Sequence, residues 1–181
     1  MKKEMLKKPN WNDVKKSIKE YEAYQLIELV KDLYQLSEDN KIFLHARLIK
    51  GDDSLQKYKR IISEALYPDV LREDSHCDFD KAEKAIKDFA KATGNDEGTV
   101  DLMIYFVECG NQFTLDCGDI NEIFYDTLIA MYEKATASVL KMPKWKQLPF
   151  RQRLEKIMES ADGIGWGYHD DLCNYYYEAF K

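Results

Sequence analysis

The sequence predicts an all-α protein of eight or nine antiparallel helices, forming a bundle or a short α-solenoid of helix pairs. Three observations carry that expectation. Apolar residues recur at three- and four-residue steps, no strand-like alternation of useful length appears, and Lys, Glu, Leu and Ala dominate over four Pro and eight Gly. No repeat of fixed period supports the solenoid form. At 181 residues, 45% hydrophobic and 13% aromatic, the chain can bury a real core and is far too apolar for a disordered protein. One all-α domain over 1–181 is expected. A soft division near 68–80 would separate an N-terminal four-helix part from a C-terminal helical part.

The elements follow in order. A short helix starting after Asn10 or Asn12 carries Trp11, Val14 and Ile18. A second, near 22–36, groups Leu26, Leu29, Val30, Leu33, Tyr34 and Leu36. Ser37 can cap a third, "EDNKIFLHARLI", with Ile42, Phe43, Ala46 and Ile49 on one face. "GDD" at 51–53 breaks the chain and offers an N-cap to a fourth helix bearing Leu55, Tyr58, Ile61, Ile62 and Ala65, which Pro68 ends.

After the irregular "PDVLREDSHCDFD", the stripe Phe79, Ala82, Ile86 and Phe89 stops at Gly94, a plausible C-terminal glycine. Asn95 or Asp96 starts "EGTVDLMIYFVEC", apolar on nearly every side and so central to the C-terminal half; Gly110 is expected to end it. Asp119 and Glu122 have capping-box spacing ahead of a long stripe running from Ile120 to Val139. Pro143 and Pro149 interrupt, Pro149 suiting the first turn of a helix with Phe150, Leu154, Ile157 and Met158. A last helix over about 168–180 packs Leu172, Tyr175 or Tyr176, Ala179 and Phe180.

Composition bounds the function. Net charge is −6, with 33 acids against 27 bases, so a nucleic-acid partner is unlikely from charge alone. The charge is also segregated. Ala92 to Glu133 and Ile157 to Phe180 hold no Lys or Arg, while Lys134 to Lys156 and the first nineteen residues are basic. The N-terminal lysines precede no apolar run, and no stretch reaches the roughly 20 apolar residues of a membrane span, so a cytoplasmic protein without membrane attachment is expected. Cys77, Cys109, Cys117 and Cys173 form no CxxC pair, which fits reduced thiols.

Chemical motifs are sparse. The glycines of "GIGWG" lack the G-x-G-x-x-G pattern and a preceding strand, and the neighbouring Asp162, Asp170 and Asp171 would repel phosphate. Glu73-x-x-His76 occurs once, where a di-iron site needs two such elements. His169 and Cys173 are four apart on one helix, but zinc-ligand spacing is otherwise missing, and no cofactor is expected. There is no nucleophile elbow. Two constellations remain. An acidic cleft is expected from Asp116, Asp119, Glu122, Trp166, His169, Asp170 and Asp171, if the turn before residue 122 meets the start of the last helix. Hard cations take such oxygen ligands, whereas the bland reading is helix capping and macrodipole compensation. A partner surface is expected from Trp145, Phe150, Arg151, Arg153, Tyr175 and Tyr176, where aromatic residues interleave with bases.

The segments "LIELVKDLYQLSEDNKIFLHARL" and "GDINEIFYDTLIAMYEKA…GIGWGYHDDL" resemble a family of small bacterial proteins of unknown function. That resemblance implies a soluble helical protein and supplies no activity or catalytic residue. It also implies that "GDINEIFY" and "GIGWGYHD" work together. The leading expectation is a cytosolic interaction module that binds a protein partner or itself. The alternatives are a small metal-dependent or cation-binding protein built on the acidic cleft, and an acidic mimic of nucleic acid in a defence or regulatory system.

Overall fold

A computed structural model describes residues 8–49, 53–68 and 76–181. Among them are nine helices and no strand: α1 (Trp11–Ile18), α2 (Ala23–Leu36), α3 (Glu38–Leu48), α4 (Ser54–Leu66), α5 (Phe79–Thr93), α6 (Asp96–Cys117), α7 (Glu122–Lys141), α8 (Lys144–Ser160) and α9 (Tyr168–Ala179). The all-α architecture read from the sequence is the one observed.

The chain forms two compact units, Met1–Leu44 and His45–Lys181. In the first, Asn10 and Asp13 make a reciprocal capping box at the start of α1, and the Ser37 hydroxyl accepts from Asn40 N–H at 3.2 Å. Neither α1 nor α2 has a buried residue; Leu26, Ile27, Val30, Leu33 and Leu36 are exposed along α2.

The second unit is a helical bundle whose core lies between α4 and α9. Helix α6 packs on α4, α5, α7 and α8, and α9 packs on α7 and α8. Ile62, Leu66, Leu102, Ile104, Phe106, Leu128, Leu154 and Leu172 are fully buried. The stripes explain this placement: each helix contributes its apolar face, and α6, apolar nearly all round, takes the centre. Of the division expected near 68–80, residues 69–75 lie outside the described residues. On its two sides Asp78 N–H donates to Ala65 C=O at 2.9 Å, and α4 packs on α5 and α6. The Arg47 guanidinium reaches the Lys91 and Ala92 carbonyls at 3.2 Å, closing the end of α5.

Three local expectations are corrected by packing. Gly110 does not end α6, which runs on to Cys117; a Cβ at Gly110 would lie 2.4 Å from Leu128 Cδ2, so this glycine lets α6 and α7 approach closely. Asn121, not Asp119, caps α7 by accepting from Phe124 N–H at 3.0 Å. Pro149 sits inside α8 rather than in its first turn, which Pro143 precedes as N-cap. Gly94 and Asn95 behave as read: Gly94 has φ +62°, and the Asn95 side chain caps α6 through Gly98 N–H.

Candidate functional site

The α6–α7 turn and the α8–α9 loop meet. Helix α6 closes at Gly118, whose φ of +90° excludes most side chains and swings the chain back over the helix end. Asp119 follows, freed from capping duty by Asn121. Across from it, the α8–α9 loop turns through Gly163 (φ +83°), Trp166 (φ +62°) and Gly167 (φ +70°). Trp166 is the one non-glycine residue with positive φ among the described residues, a conformation that costs about 1–2 kcal/mol for a residue with a Cβ. Its indole Nε1–H donates to both Asp119 oxygens, at 2.9 and 3.0 Å. The Tyr125 hydroxyl donates to Asp119 Oδ1 at 2.9 Å, lies 2.6 Å from Thr114 Oγ1, and accepts from Ile120 N–H at 3.4 Å. Burial, then the Asp119 carboxylate, pushes the Tyr125 phenol upward. Asp119 is thus the hub of a polar spine leading from a buried hydroxyl pair to a tryptophan that remains 52% exposed.

The rest of the expected acidic cleft disperses. Asp116 Oδ2 accepts from Tyr67 O–H at 2.6 Å and Gln112 Nε2 at 3.0 Å, and these bonds, Tyr67's first, hold its carboxyl below the usual range. His169 turns to its own segment, with Nε2 3.4 Å from Cys173 Sγ and Nδ1 3.8 Å from Asp162 Oδ1. Glu122, Asp170 and Asp171 occupy the first turns of α7 and α9, where the macrodipole favours acids. Among the described residues no group of three or more His, Cys, Asp and Glu side chains is placed to hold a metal ion. The two segments "GDINEIFY" and "GIGWGYHD" meet through Trp166 on Asp119 and through the Tyr125 and Tyr168 rings, 5.3 Å apart between centroids. Tyr125, Thr114 and Tyr67 had no signal in the sequence: the first two look like ordinary helix residues, and Tyr67 lies 49 positions from Asp116.

The expected partner surface divides in the same way. Phe150 and Tyr176 are buried, and Tyr175 is half-buried. Arg151 stacks its guanidinium 4.7 Å over the Phe180 ring. Arg153 is taken up inside the bundle, its Nε and Nη2 gripping Glu108 at 2.7 Å each while Nη1 meets Asp101; Lys59 Nζ holds the other Asp101 oxygen at 2.6 Å. Only Trp145, 78% exposed, stands out as an aromatic anchor, and Lys146 Nζ lies 5.1 Å over its ring. A cavity of about 440 Å³ opens beside Lys146, between α6, α7 and α8. A second, of about 390 Å³, is walled by Phe79, Phe113 and Phe124 next to Cys77.

All four cysteines are free thiols. Burial pushes Cys77 and Cys109 each up to about 11, with the Cys117 sulfur adding to the effect on Cys77. Since the thiolate is the nucleophile, iodoacetamide at pH 8 is expected to label exposed Cys117 first, half-buried Cys77 more slowly and buried Cys109 last, as peptide mass spectrometry would read. Rapid labelling of Cys109 would contradict the packing. Between the ordinary thiol value near 9 and about 11, the unfolded chain ionises these groups while the folded chain keeps them neutral, so their contribution is intact below that window and is lost as pH rises through it.

None of the helices in the described residues is long and apolar enough to cross a membrane. No curated protein and no solved structure matches the chain. A family model does match over residues 9–181, which takes in both compact units and both halves of the Trp166–Asp119 junction. The chain belongs to DUF6155, a family of unknown function.

Proposed function

We propose that this chain is a helical interaction module that presents Trp166 as a fixed aromatic anchor to a basic segment of a protein partner or of a second copy. The observation that carries this reading is the combination at Trp166: left-handed backbone, an indole clamped by both Asp119 oxygens, and half of the side chain still open. Backbone strain of this kind persists only where the surroundings over-determine it. A tryptophan already fixed in place loses little conformational entropy on binding, and large aromatic anchors carry much of the energy of interfaces. Its sequence surroundings hold Asp162, Asp170 and Asp171 and no Lys or Arg from 157 to 180, which suits a cationic group over the ring.

The test pairs the wild-type chain with Trp166→Ala and Asp119→Ala. Affinity capture followed by peptide titration, with size-exclusion chromatography for self-association, would measure binding. Binding to a lysine- or arginine-rich segment should weaken at least about tenfold in Trp166→Ala, the loss typical of an anchor residue. A monomer that captures nothing, or capture indifferent to both substitutions, would rule the reading out.

A further inference from the structure

The cavity between the start of α6, the end of α7 and the start of α8 lies apart from the Trp166 junction, and its chemistry is different. At about 440 Å³ it falls in the size range of small-molecule sites. Val100, Met103, Met142 and Pro143 give it an apolar floor. The two thioethers can adjust to an unbranched, branched or aromatic group, a use to which methionine is well suited.

The rim carries four charges in two distinct situations. Glu97 Oε2 and Lys146 Nζ satisfy each other at 2.5 Å. Asp96, at the first position of α6, and Lys141, at the last position of α7, have no hydrogen-bond or ion-pair partner among the described residues. Helix dipoles explain why an acid starts α6 and a base ends α7. They do not explain why both unpaired groups border one apolar cavity. A lone carboxylate would pair with Lys141 and leave Asp96 without an opposite charge, and a lone amine would do the reverse. Only a ligand with both charges offers each unpaired group an opposite charge.

We propose that this cavity binds a small zwitterion with an apolar arm, of the size of an apolar amino acid or apolar dipeptide. The carboxylate goes to Lys141, the ammonium to Asp96, and the arm to the floor made by Val100, Met103 and Met142.

Calorimetric titration of the full chain with leucine, methionine and leucyl-leucine tests this, with isoamylamine, isocaproate and glycine as analogues lacking one charge or the arm. At least one apolar zwitterion should bind saturably, and each analogue should bind at least about tenfold more weakly, as expected when one charge-assisted contact or the buried arm is lost. Asp96→Asn and Lys141→Gln alter exposed side chains and should leave folding intact by circular dichroism. Each should weaken binding of the zwitterion about fivefold or more. The proposal is overturned if no zwitterion binds more tightly than about 10 mM. It is equally overturned if the single-charge analogues match the zwitterions, or if both variants keep wild-type affinity.

Discussion

Phe124→Ala is expected to destabilise the second unit by about 3–5 kcal/mol, the range for removing a buried aromatic ring. Phe124 is buried and joins three neighbours: Tyr125 at 5.2 Å edge-on, Phe79 at 5.5 Å and Phe113 at 6.2 Å between ring centroids. Phe79 continues to Phe106, Phe113 to Tyr67, and Tyr125 to Tyr168, so one ring links the C-cap of α4 with α5, α6, α7 and α9. Alanine would remove the transfer free energy of the ring and leave a void that rigid aromatic neighbours cannot fill by rotamer changes alone. At about 2–4 °C per kcal/mol for a chain of this size, the melting temperature should fall by roughly 6–20 °C. Urea unfolding followed by circular dichroism would measure it. A loss under about 1.5 kcal/mol would show that the cluster repacks easily, which conflicts with close packing in a core. Phe124→Leu should cost distinctly less, because it keeps most of the buried area.

Arg153→Met carries the second large effect, about 1.5–3 kcal/mol. Arg153 bridges two carboxylates of α6, Glu108 and Asp101, from α8. Removing one partner of a buried ion pair costs about 3–5 kcal/mol because the other charge is stranded. The groups here are not fully buried, with side-chain exposures of 26% for Arg153, 31% for Glu108 and 17% for Asp101, so water screens part of that loss. Asp101 also keeps Lys59, so Glu108 is the residue left unpaired. Arg153→Lys should recover only part of the loss, since an ammonium cannot hold two carboxylate oxygens in a parallel grip. A double-mutant cycle with Glu108→Gln should give a coupling near 1 kcal/mol or more, and additive single effects would refute the bridge.

The same residue shows where sequence reading stops. Arg153 lies in a basic, aromatic-rich stretch, and local composition marks it for a partner. Its carboxylates lie 45 and 52 positions away on α6, where no spacing rule reaches them. Phe150 and Tyr176 disappear into the core for a related reason: a stripe tells which face of a helix is apolar, not which aromatic on its border is covered by the next helix. Local signals fared best where the chain neighbour decides the outcome. Ser37, Asn95 and Gly94 act at helix ends through groups three or four residues away, so their roles are legible. Asp119 misled because its spacing to Glu122 imitates a cap, while Asn121 captures the Phe124 N–H first.

By itself the sequence determined the all-helical class, most helix boundaries and the apolar faces that build the second unit, because these depend on periodicity and on contacts within about four residues. Tertiary structure alone decided which polar groups meet. It put Trp166 on Asp119 across 47 positions, withdrew Asp116 to Tyr67, turned His169 to Asp162 and Cys173, and left Asp96 and Lys141 unpaired among the described residues at the mouth of one cavity. The physical reason is that burial follows a pattern written along each helix. The partner of a carboxylate depends instead on how helices far apart in the chain pack together.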